Sequence, residues 1–142
     1  MEALGPIGIG LASATYWAPT YPYTSSLTNI SSTQTSIGKQ WTQQLGPSLA
    51  LFDAAAAALK AASDPKDKTA LAKAISALEV ETPVGHLHWG KGPNANVVAT
   101  SFVGGQWVQA PAGSNFKLDF VICENSTDPN VPVAGQLRPW GA

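Results

Sequence analysis

The chain has 142 residues, a net charge of −1, 44% hydrophobic and 12% charged residues, which suits a single globular domain with a buried core. It has no Lys/Arg cluster that could neutralise a row of phosphates, so nucleic acid is excluded as a partner, and no apolar run approaches the roughly 20 residues that span a bilayer. Met1-Glu2 opens without the basic and apolar regions of a secretory signal, so the chain as written is expected to carry no signal peptide of its own.

Gly8 to Trp17, GIGLASATYW, mixes small and β-favouring residues and runs into Ala18-Pro19, which predicts a strand ending in a break. Tyr16, Trp17, Tyr21 and Tyr23 then concentrate aromatic surface beside Pro19 and Pro22. Such rings either line a pocket or cap the core where the strand leaves it. Ser25 to Lys39 is Ser/Thr-rich and aperiodic, and is expected to be an irregular connection.

Gln43 to Ser63, QQLGPSLALFDAAAAALKAAS, is the best-made helix in the chain. Its alanines lose little side-chain entropy, Gly46-Pro47-Ser48 suits a helix entrance and Ser63-Asp64-Pro65 stops it. Leu51, Phe52, Ala55, Ala56 and Leu59 share one stripe, which is expected to be the buried face. Asp64-Pro65-Lys66-Asp67 opens a second helix with Leu71, Ala74, Ile75 and Leu78 on one side. Gly85–Trp89 alternates as a short strand, Val97–Trp107 is a β-rich run in which Gly104-Gly105 signals a hairpin turn, and Phe116–Cys123 is a further strand. Val131–Leu137 carries too many breakers for a central strand, and belongs at an edge or in a tail.

His86 and His88 alternate on a strand and so share one face, where two imidazoles could meet one metal ion. No Cys, Asp or Glu stands at recognisable ligand spacing beside them, so they read as solvent-facing strand histidines, with no metal site and no cofactor expected; Glu79 and Glu81 fall on what reads as a helix-exit segment with no partnering acid or base. Cys123 has no partner for an internal disulfide, and its apolar neighbours predict an inert thiol. No nucleophile-base pair, phosphate-cradling loop or zinc-protease motif is present, so the reading is of a protein that is not an enzyme.

The motifs speak through their order. YWAPTYPYTSSLT, GKQWTQQLG before an alanine-rich helix, DPKDKTALAKAISAL, TPVGHLHWG, NVVATSFVGGQW, FKLDFVICEN and VPVAGQLRPW together resemble the C-terminal part of the substrate-binding proteins of branched-chain amino acid (Leu/Ile/Val-type) ABC transporters. The resemblance implies a partial type I periplasmic-binding-protein fold, α/β, with helices packed on a mixed sheet. Residues 1–18 and 108–142 would belong to the second lobe, residues 19–107 to the first, and Ala18-Pro19 would lie at a hinge crossing. Gln43, Gln44, Leu45 and Gly46 at the helix entrance become the candidate cleft residues, followed by Tyr16, Trp17 and Tyr21.

By the same resemblance the function is non-catalytic capture of an amino acid or similar small carboxylate, for delivery to an ABC permease from the periplasm. Family residues that grip the ligand's charged groups would lie upstream of Met1, and a family helix would be missing from Leu27–Gly38, so the chain reads as one incomplete α/β unit. The alternative is a truncated structural protein that works by self-association, and in either case a homo-oligomer is expected because a cut clamp exposes strand edges and apolar faces.

Overall fold

The computed structural model describes residues 1–23 and 36–140. Most of the Ser25–Lys39 connection, including the shortened stretch from Leu27, lies outside them. A kinked 3-10 segment, Glu2–Gly8, leads into β1 (Ala12–Thr15); α1 (Leu45–Ala61), α2 (Lys68–Ser76), β2 (Glu79–Thr82), β3 (Gly85–His88), a 3-10 turn at Trp89–Lys91, β4 (Val103–Gln109) and β5 (Leu118–Glu124) follow.

These strands form two antiparallel sheets, a three-stranded one in the order β1-β4-β5 and the β2-β3 hairpin. The architecture is α/β, but every strand pairing among the described residues is antiparallel, which differs from the mixed sheet implied by the resemblance. The two-residue Pro83-Val84 connection joins β2 to β3, and a connection that short pairs its strands antiparallel.

The first strand is shorter than Gly8–Trp17 because Gly5, at φ 52°, and Pro6 draw the preceding residues into a 3-10 segment. Gly104 and Gly105 are a larger departure: they lie inside β4, where the register with β5 shifts between them, and make no turn. A Cβ on Gly105 would stand 2.4 Å from Phe120 Cζ, so the glycine is there to admit a ring from the neighbouring strand. The actual turn is at Pro111–Ser114, closed by the Ser114 N–H to the Pro111 carbonyl, with Gly113 at φ 87°. Glu79–Thr82 is a strand and not a helix exit. The Thr82 hydroxyl donates to the Gly85 carbonyl at 2.7 Å across the Pro83-Val84 turn, and Gly85 takes φ 108° there.

Both helices form where local sequence places them. The Asp67 carboxylate caps α2 by accepting the Thr69 N–H at 2.8 Å, a contact worth about 1 kcal/mol. The buried side of α1, however, is Gly46, Leu49, Ala50, Ala54 and Ala58, while Leu51, Phe52 and Leu59 are 69%, 65% and 50% exposed. This overturns the expected stripe. Gly46, Ala50, Ala54 and Ala58 recur every four residues, and the bulk that fills the space comes from the facing surfaces, Trp17, Val84 and Leu87 on one side and Leu78 on the other. A helix whose partners are already large must present small residues to reach native packing density.

One core joins α1, the hairpin and the sheet through Trp17, Ala18, Tyr21, Ala50, Val84, Leu87, Val103, Phe120, Ile122 and Val131. Burying a side chain such as Ile122 or Leu118 contributes about 1.5–3 kcal/mol. The tail beyond Val131 runs along β5, the N–H groups of Ala134 and Gly135 donating to the Ile122 carbonyl, and then crosses to β4, where the Gln106 amide exchanges two hydrogen bonds with the Arg138 backbone. That is the edge position expected of a breaker-rich segment.

Candidate functional site

A cavity of about 290 Å³ opens between the entrance of α1 and the face of the three-stranded sheet. Trp41, Trp107 and Phe120 form its aromatic wall, and Ser13, Thr15, Gln40, Thr42 and Gln43 supply its polar edge. Ser13 and Thr15 stand on β1, and Trp107 and Phe120 are directly opposed across β4 and β5. The stretch before α1 then folds Trp41 down onto them: its ring stacks on Trp107 at 6.1 Å and 16°, and meets Phe120 and Trp17 edge-on at 6.1 and 5.9 Å. Gln40 anchors the stretch, its amide donating to the Leu118 carbonyl at 2.6 Å.

Among the described residues no acidic, basic or imidazole side chain lines this cavity. It can hold an apolar or flat group against the rings and satisfy an uncharged polar edge with hydroxyls and amides; it offers no side-chain counter-charge to a carboxylate or an ammonium group.

Of the cleft candidates drawn from the sequence, Gln43 lines the cavity. Gln44 points elsewhere, its amide donating to the Tyr16 hydroxyl at 2.8 Å and so tying the helix entrance to the end of β1. Leu45 packs on the core, Gly46 is buried against Trp17, and Trp17 and Tyr21 are core residues, 5% and 7% exposed. The rings at the strand exit therefore cap the core. Ala18 is buried and Pro19 exposed, in a turn closed by the Tyr21 N–H to the Ala18 carbonyl at 3.0 Å. Trp41, Trp107 and Phe120 were not marked by sequence pattern; the available signal was three large rings in segments otherwise rich in Gly, Gln and Val, but only the β4-β5 register brings two of them together.

Next to the core, the Tyr23 hydroxyl lies 2.7 and 2.6 Å from the two oxygens of the buried Asp128 carboxylate and donates to it, and the Ser101 hydroxyl donates at 3.1 Å. Burial first, then the Asp128 charge, pushes the Tyr21 phenol well above its ordinary range, and the Tyr23 phenol is raised by burial and by its bond to Asp128. Both phenols stay neutral donors. Burial also pushes the Cys123 thiol up, against an opposing hydrogen bond from the Gln106 backbone, which favours the protonated thiol over the thiolate. Among the described residues no helix is long and apolar enough to cross a membrane. Comparison with known protein families, with characterised proteins and with solved structures finds no match to this chain.

Proposed function

We propose that this chain is the C-terminal, ligand-facing portion of a solute receptor of the branched-chain amino acid ABC-transport class, built on the type I periplasmic-binding-protein plan and acting in the periplasm by capture and delivery to a permease, without catalysis. The observation that carries the reading is the Trp41–Trp107–Phe120 wall beside Gln43: an aromatic and amide surface at the entrance of α1, over a cavity at the small end of the range for ligand sites. The order of motifs along the chain supports the class. In this reading the wall receives the apolar side chain of the solute, and its carboxylate and ammonium groups are held by charged residues of the receptor outside this chain, because no charged side chain lines the cavity among the described residues.

The test is a titration of the isotope-labelled chain with leucine, isoleucine and valine, following the indole N–H resonances. Binding is expected only at millimolar concentrations, with shifts concentrated on Trp41 and Trp107 and lost in Trp41→Ala. Shifts that spare both indoles would sink the proposal.

A second reading is favoured by the exposed Leu51, Phe52 and Leu59 on α1: a structural protein that associates with copies of itself through that face. Light scattering over a dilution series separates the readings. A homo-oligomer that dissociates on Phe52→Lys supports self-association, and a monomer at high micromolar concentration removes it.

A further inference from the structure

The β2-β3 hairpin assembles a ligand set that spacing along the chain conceals. Its antiparallel register sets Glu79 opposite His88 and Glu81 opposite His86. Side chains alternate across a strand, so these four residues share the outward face while Val80 and Leu87 turn to the core. The third ligand missing from the sequence reading is thus supplied from the neighbouring strand.

The donor atoms converge on one carboxylate oxygen. Glu79 Oε1 lies 2.9 Å from His86 Nε2 and 3.5 Å from His88 Nδ1, and one donor atom from each of the three residues falls within 4.8 Å of the others. A zinc ion about 2.0–2.1 Å from each ligand in a tetrahedron sets neighbouring donors about 3.3 Å apart, a value these two separations bracket. The remaining nitrogen of His86, Nδ1, is 2.5 Å from Glu81 Oε1. A ring whose Nδ1–H is held by a carboxylate has its Nε2 lone pair directed at the metal position, which is how ligating histidines are commonly oriented. On the other ring, His88 Nε2 is packed towards Gly90, where an added Cβ would stand 3.0 Å away, leaving Nδ1 to face Glu79.

We propose that Glu79, His86 and His88 form a binding site for a divalent transition-metal ion, with Glu81 as the carboxylate that orients His86. Two imidazoles and one carboxylate suit zinc, copper or nickel and disfavour magnesium and calcium, which take oxygen ligands. The site is open: His86 and Glu79 are 45% and 55% exposed and His88 26%, so the ion keeps at least one coordination position for water or for a donor brought by another molecule.

The test uses the full 142-residue chain, stripped with a chelator, at mildly alkaline pH. Calorimetric titration with zinc is expected to show one equivalent bound, loss of that binding in His86→Ala, His88→Ala and Glu79→Gln, and roughly 10- to 100-fold weaker binding in Glu81→Gln. Long-range ¹H–¹⁵N spectra of the unaltered chain should show zinc shifting His86 Nε2 and His88 Nδ1, a readout independent of how any variant folds. No stoichiometric zinc binding, zinc shifts on neither of these nitrogens, or affinity unchanged in Glu79→Gln would each overturn the three-ligand site.

Discussion

Gly46 of α1 lies flat against the indole of Trp17: a Cβ built on the glycine would stand 2.2 Å from Trp17 Cγ and 2.4 Å from its Cβ. Ordinarily alanine stabilises a helix relative to glycine by about 0.5–1 kcal/mol. Here the obstacle is the root of a buried ring, which cannot swing aside. Overpacking of this kind costs about 1–3 kcal/mol, so Gly46→Ala should lower stability despite its better helix propensity. Urea denaturation measures it, and a gain in midpoint would show that the two elements are not in register as described.

The contact between Gly105 and Phe120 makes a coupled prediction. Phe120→Ala alone should cost about 3–5 kcal/mol, and Gly105→Ala alone about 1–3 kcal/mol, because its methyl meets the ring. In the Phe120→Ala background the ring is gone but the Val121 carbonyl oxygen, 2.6 Å from the same Cβ, remains, so the second substitution should cost less than it does alone without becoming neutral. A double-mutant cycle with no interaction energy between the sites would contradict the bulge geometry.

Asp128 is buried and its carboxylate is satisfied by hydroxyl and backbone donors, with Tyr23 spanning both oxygens. Tyr23→Phe keeps the ring and removes the principal donor. A loss of about 1.5–3 kcal/mol is expected, the magnitude of a hydrogen bond to a charged group. Thermal unfolding of the two proteins at neutral pH provides the comparison, and equal melting temperatures would mean that the bond contributes nothing net.

Cys123 titrates late, because burial disfavours its thiolate. For an acid whose folded pKa is raised, the protonated form is the one the fold favours; the associated stability is intact below the unfolded thiol value of about 8.5 and declines as pH rises beyond it. Alkylation by iodoacetamide should therefore be slower in the native chain than in urea, with its rate rising at a higher pH in the native chain. Identical pH profiles in the two states would refute the assignment.

The exposed stripe of α1 can be tested against its buried one. Leu51→Glu and Phe52→Lys should change stability by no more than about 0.5 kcal/mol, as surface substitutions do. Ala54→Leu and Ala58→Leu, on the packed side, should each cost about 1–3 kcal/mol. The opposite ranking in denaturant midpoints would restore the Leu51–Phe52 stripe as the core face.

The sequence by itself determined which stretches become helices. An alanine run bounded by Gly46-Pro47 and Asp64-Pro65, and an Asp67 cap ahead of Leu71 and Ile75, act through backbone entropy and hydrogen bonds that neighbouring residues supply. It also predicted strands over Gly85–Trp89 and Phe116–Cys123, which the structure sets at Gly85–His88 and Leu118–Glu124. What only the tertiary structure decided depends on residues far apart in the chain. The face of α1 that is buried follows from the bulk already present on Trp17, Leu78 and Val84. Gly104-Gly105 became part of a strand because Phe120 needs the space that a turn would have left unused. Glu79 meets His86 and His88 because a hairpin register joins positions seven and nine residues apart, a spacing that has no meaning along a helix exit and becomes a cross-strand contact once Pro83-Val84 turns the chain.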